Sequence, residues 1–109
     1  MAAQIPSEVR RYLEELLTTA GVTSIPRAHE QMLQELFERL NSFTVTAYIN
    51  SLSSKDREIF YRMIATFHPQ DKLEQFLHDH VPNLQAVHIK ALEEFRKKYL
   101  REISAARRH

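Results

Sequence analysis

The stretch PRAHEQMLQELFERLNSFTVTAYINS, residues 26–51, decides the fold. Leu33, Leu36, Leu40, Phe43 and Ala47 recur at three- and four-residue spacing and fall on one helical face, flanked by Met32, Phe37 and Thr44. Ser24-Ile25-Pro26 supplies a start, with Ser24 or Ile25 at the cap and proline in the first turn, where its missing N–H is not needed. Beyond Asn41 the pattern changes, because Val45, Ile49 and Leu52 lie away from that face on a continuous helix. Either the helix breaks near Asn41-Ser42, or its second half is apolar nearly all round because neighbours surround it. One long central helix over about 26–51 is expected, roughly 39 Å at 1.5 Å per residue.

Working outward, the flanking segments also read as helices. Toward the N-terminus, Val9, Tyr12, Leu13, Leu16 and Leu17 form one stripe over about Ser7 to Thr19, with Arg10–Glu14 and Arg11–Glu15 one turn apart on the wet side. Gly21, the only glycine, stands where a left-handed residue ends a helix. Toward the C-terminus, Ser53 and Asp56 match a capping box that opens a third helix. Ile59, Phe60, Met63, Ile64 and Phe67 are its expected buried face, and His68-Pro69 its expected end. A short fourth helix over about Gln70 to His80 presents Leu73, Phe76 and Leu77, and Val81-Pro82 closes it. Asn83 reads as the N-cap of a fifth helix to about Arg107, whose apolar face is Leu84, Ala91, Leu92, Phe95, Tyr99 and Ala106.

The expected fold is therefore all-α: one domain over residues 1–109, a bundle of about five helices around a long central second helix, with residues 1–5 and 108–109 frayed. Its core should include Leu13, Leu16, Leu36, Leu40, Phe60, Met63, Ile64, Phe76, Leu77, Phe95 and Tyr99.

Composition agrees and excludes much chemistry. The chain has 109 residues, 43% hydrophobic and 27% charged, as in an ordinary globular domain. One glycine excludes a dinucleotide fingerprint and a phosphate loop, and argues against an all-β fold. No cysteine means no disulfide framework, thiolate zinc site or cysteine nucleophile. The opening residues carry no secretory pattern and no apolar run approaches a membrane span, so a soluble, cytoplasmic chain without a membrane partner is expected.

Each candidate chemical constellation has an ordinary structural reading beside the chemical one, which for Glu74 and His78 would be metal binding and for His88 a general base in a pocket or a pH-sensitive packing residue. His78 and His80 point to different faces of a helix; Glu74 and His78 share one, but no third ligand follows at a metal-site spacing. His88 falls on the apolar face of the last helix and His29 on the buried side of the second, positions where a histidine is usually satisfied by a neighbouring carbonyl. Neither has a partner carboxylate or nucleophile placed by the sequence. Glu14/Glu15 and Glu93/Glu94 diverge on their helices and have basic neighbours one turn away, and capping accounts for Ser53. Catalytic residues, metal ligands and cofactors are expected to be none.

Two surfaces of the last helix remain. Residues 1–89 carry 8 Lys/Arg against 11 Asp/Glu, and residues 90–109 carry 7 against 3. Lys90, Lys97, Arg101 and Arg108 lie within about 20° of one line and could track a phosphate backbone, giving a nucleic-acid or ribosome-associated protein as the alternative reading. No aromatic is interleaved there for base stacking, and acidic residues dilute the field. On another side, Ile89, Leu100 and Ile103 widen the apolar surface beyond one packing face. This suggests a protein–protein interaction module, with a partner protein or a second copy (a homodimer) on the last helix, unless the helix simply fills a groove between two neighbours.

Three stretches, Leu52–Phe60 (LSSKDREIF), Phe76–Asn83 (FLHDHVPN) and Glu94–Leu100 (EFRKKYL), together resemble a bacterial family of short, uncharacterised helical proteins, a domain of unknown function. The match runs over roughly residues 20–102. The resemblance implies the all-helical architecture and carries over no functional residue.

Overall fold

The structure is a computed structural model that describes residues 4–22 and 26–107. It is all-α, a helical bundle whose five helices run in the order α1 (Ser7–Ala20), α2 (Pro26–Ser51), α3 (Ser54–Ala65), α4 (Gln70–His80) and α5 (Leu84–Arg107). The second helix is continuous through Asn41-Ser42. Its proposed cap, Ser24 or Ile25, lies outside the described residues. No described helix is long and apolar enough to cross a membrane.

The helices contribute to two compact units, one of residues 1–42 and 92–109 and the other of residues 43–91. The first unit buries Leu13, Leu16, Leu17 and Ala20 of α1, Leu33, Leu36, Phe37 and Leu40 of α2, and Phe95 and Tyr99 of α5. Polar contacts tie the same helices at their rims. Arg10 donates to the Glu30 carboxylate, the Tyr12 hydroxyl donates to the Leu92 carbonyl at 2.5 Å, and Arg39 pairs with Glu102 at 2.9 Å. Burial of Tyr12 raises its phenol above the usual value, with Arg96 acting in the opposite direction.

Gly21 ends α1 as its position predicts. It is left-handed at φ 70°, its N–H donates to the Thr18 carbonyl and the next N–H, of Val22, to Leu17. This pair of reversed bonds is the Schellman turn, and it satisfies carbonyls the helix end leaves open. Arg107 then donates to the Gly21 carbonyl at 2.8 Å, its guanidinium only 3.1 Å from where a Cβ on Gly21 would stand.

The second unit has a smaller core. Leu52, Phe60, Leu77 and Val81 form it, with Tyr48, Ile49, Leu73, Phe76, Leu84 and Val87 packed partly buried around them. Ser53 caps α3 as expected, its hydroxyl accepting from the Asp56 N–H at 3.1 Å. The Arg57 guanidinium reaches back to the Ile49, Asn50 and Leu52 carbonyls at 3.2–3.3 Å and so closes the C-terminus of α2. This carbonyl clasp replaces a glycine at that helix end, and nothing in the spacing of Arg57 announced it.

Three expectations are corrected here. The third helix stops at Ala65, not at His68-Pro69. Ile64, placed in the core by periodicity, is 46% exposed, while Met63 and Phe76 are half-buried. Asn83 takes a left-handed backbone at φ 53° ahead of α5 rather than the extended backbone of an N-cap; asparagine tolerates that conformation better than most residues.

Candidate docking surface

The end of α3 carries the most unusual geometry among the described residues. Thr66 closes the helix, and Phe67 follows at φ 58°. The Phe67 N–H donates to the Ile64 carbonyl at 3.1 Å and the His68 N–H to Met63 at 3.1 Å, the same reversed pair that Gly21 makes after α1. Here the left-handed position is held by a large aromatic residue, which costs about 1–2 kcal/mol where glycine costs little. The turn is braced in place. The Thr66 hydroxyl donates to the Arg62 carbonyl at 2.9 Å, and the His68 ring Nδ1 sits 2.9 Å from that hydroxyl and 3.1 Å from the Met63 carbonyl. Pro69 prevents the helix from resuming at once.

The side chain delivered by this turn is left in water. Phe67 is 93% exposed, and beside it on α3 Tyr61 and Ile64 are 53% and 46% exposed. Continued α-helix would have put Phe67 seven residues beyond Phe60 and on the same buried face. The left-handed turn swings it out instead. The core cluster reaches α3 at Phe60 and does not include Ile64 or Phe67. An exposed apolar residue is unremarkable alone, but three within seven residues over the second half of α3 and its closing turn, one of them on a strained backbone, call for a reason.

The residues expected on the last helix are distributed differently. Ile89, in the second unit, is 50% exposed. Leu100 and Ile103, in the first unit, are half-buried and line a shallow groove of about 320 Å³ with Thr19, Ala20, Ser104 and Arg107. Lys90, Lys97 and Arg101 are exposed; Arg108 lies outside the described residues. Acidic neighbours share that helix, and Glu102 is engaged by Arg39 across to α2.

The described histidines hold structural contacts. His88 is exposed rather than set in the apolar face of α5, and its Nδ1 lies 2.7 Å from the Tyr48 hydroxyl, whose ring stacks on it at 6.2 Å between centroids. Burial raises the Tyr48 phenol above its usual value. His29 is half-buried, 3.5 Å from the Glu14 carboxylate. His80 stacks on Phe76 at 4.0 Å, its ring Nδ1 2.9 Å from the Phe76 carbonyl. Exposed His78 lies 3.6 Å from Asp79, while Glu74 accepts from Gln70 at 3.3 Å. Among the described residues no group of three or more His, Asp or Glu could hold a metal ion. The two concavities described, the α1–α5 groove and one along α1 lined by Arg11, Glu14, Glu15, Thr18 and Thr19, contain neither His78 nor His88.

Sequence reasoning missed the patch because it read Ile64 and Phe67 as core. The available signal was Thr66-x-His68-Pro69, two side chains able to take up helix-end contacts followed by a residue that cannot continue the helix. Comparison with family models, curated proteins and solved structures found no match.

Proposed function

We propose that this chain is a protein–protein interaction module whose contact surface is the end of α3, formed by Tyr61, Ile64 and Phe67. The observation that carries the reading is Phe67. A residue that is both strained in its backbone and exposed in its side chain loses stability twice, and such a conformation persists only where surrounding contacts enforce it. The bonds from Thr66 and His68 do that, so the backbone that carries the aromatic ring is fixed in advance of contact. Pre-ordering a large anchor in this way lowers the entropy lost on binding. Aromatic anchors of this kind dominate binding energy at protein interfaces. Ile89 is a further exposed apolar residue of the same unit, which keeps α5 within the reading, whereas Leu100 and Ile103 are half-covered in their groove.

The test is site-specific photocrosslinking in cells that express the chain, with the photoreactive phenylalanine placed at position 67 and, as control, at exposed Glu38 of the first unit. A discrete protein adduct from position 67, absent from position 38, is the expected result. Diffuse labelling that is equal at the two positions overturns the reading.

A further inference from the structure

We infer that the surface at the end of α3 pairs with the same surface of a second copy of this chain, α3 against α3, antiparallel about a two-fold axis beside Tyr61; this rests on the reading just given. Charge supports a second copy over a strongly charged partner. Around the patch, residues 54–74 carry Lys55, Arg57, Arg62 and Lys72 against Asp56, Glu58, Asp71 and Glu74, an even balance that neither attracts a polyanion nor repels an identical surface.

Helix geometry makes that balance self-complementary. At 100° per residue, Tyr61 lies between Ile64 on one edge of the stripe and Glu58 on the other, with Arg62 just beyond Glu58. A two-fold axis lying between two antiparallel helices, perpendicular to them, keeps each lateral edge on its own side and reverses the direction along it. Glu58 of one copy then comes within about 3 Å, along the helix axis, of Arg62 of the other, and the pair occurs twice. Both side chains are exposed. Ala65, also on this face and exposed, gives the two helices room to approach. Phe67, beyond the C-terminal end of one α3, reaches the first turn of the other.

The area sets the strength. The exposed parts of Phe67, Tyr61 and Ile64 amount to about 400 Å², against about 800 Å² per partner in a standard stable interface. The pairing is therefore reversible and concentration-dependent rather than obligate.

The experiment is sedimentation velocity on the full chain from about 10 µM to about 1 mM, for the wild type, Phe67→Gly, Glu58→Arg, Arg62→Glu and an equimolar mixture of the last two. Glycine relieves the left-handed backbone, so Phe67→Gly should keep or raise the melting temperature while remaining monomeric where the wild type dimerises. Glu58→Arg and Arg62→Glu should each weaken self-association about tenfold at low salt, because each sets like charges opposite one another. Their mixture should restore it, since the heterodimer has both pairs opposed in sign. A wild type monomeric at about 1 mM, a dimer unaffected by Phe67→Gly, or a mixture no stronger than its parts overturns the pairing. Crosslinking from position 67 to a different protein also overturns the pairing but leaves the module reading standing; absence of any discrete adduct removes the module reading itself.

Discussion

The two compact units solve the problem of covering apolar surface to different degrees. Among the described residues of the first, three helices bury ten hydrophobic residues, four of them leucines with almost no exposed surface. In the second, four helical segments bury five, and among the described residues the large hydrophobics that stand exposed, Val45, Tyr61, Ile64, Phe67 and Ile89, all belong to this unit. The same contrast appears in a single backbone motif. Each unit ends a helix with a Schellman turn, at Gly21 in one and Phe67 in the other. The first places the residue that fits the conformation. The second places one that resists it and projects it into solvent. The first unit's own departure, the buried Gln34 amide nitrogen without a hydrogen-bond partner, stays inside it, whereas the departure at Phe67 puts a large apolar side chain into water, as departures at contact surfaces do.

Core truncation should break the symmetry between the units most strongly. Leu33→Ala, at a side chain with 0% exposure, should cost about 3 kcal/mol. Ile64→Ala should cost less than about 1 kcal/mol, because nearly half of that side chain is already in water. Urea unfolding midpoints measure both. Equal losses would mean that Ile64 is covered in solution and that the second unit is as closed as the first.

The paired turns sharpen the comparison at one residue each. Gly21→Ala should cost about 1–2 kcal/mol, since alanine resists φ 70° and its Cβ would press on the Arg107 guanidinium. Phe67→Gly should change stability in the opposite direction, gaining about 1 kcal/mol. Thermal melts of the two variants beside the wild type decide it. Loss of stability in Phe67→Gly would show that the ring contributes to the fold and that the left-handed backbone carries no net strain.

These positions also show what the sequence discloses. Gly21 and Ser53 were legible because each has few alternative uses: a lone glycine after an apolar stripe, and a serine three residues before an acid. The long second helix was legible from its period, although its departure beyond Asn41 had two explanations. In the structure Ile49 and Leu52 turn into the core formed with α3 and α4, while Val45 stays exposed. The end of α3 was not legible from periodicity, because Phe60, Met63, Ile64 and Phe67 keep a helical spacing right through the turn that breaks it. A left-handed phenylalanine has no residue-type signature. His88 failed for a related reason: the period gives an angle around the helix, but not where the neighbouring helices stop.

The smallest expected effect lies at the rim of the first unit, where Arg10 and Glu30 join α1 to α2. Hydrogen bonding to the Arg10 guanidinium holds the Glu30 carboxyl below its ordinary range, so the folded chain binds that proton less readily than the unfolded one. The contribution is then fully present above about pH 4.3, the value of an unfolded glutamate, and is lost as pH falls through the lower folded value. Glu30 is largely exposed and Arg10 partly so, and salt therefore screens the pair. Glu30→Gln should lower the urea midpoint slightly at pH 7, and the difference from wild type should vanish both in acid and in about 1 M salt. A difference that survives either condition would assign the contact to packing of the side-chain stems. The closure of the first unit would then be apolar out to its edge, which would widen its contrast with the open end of α3.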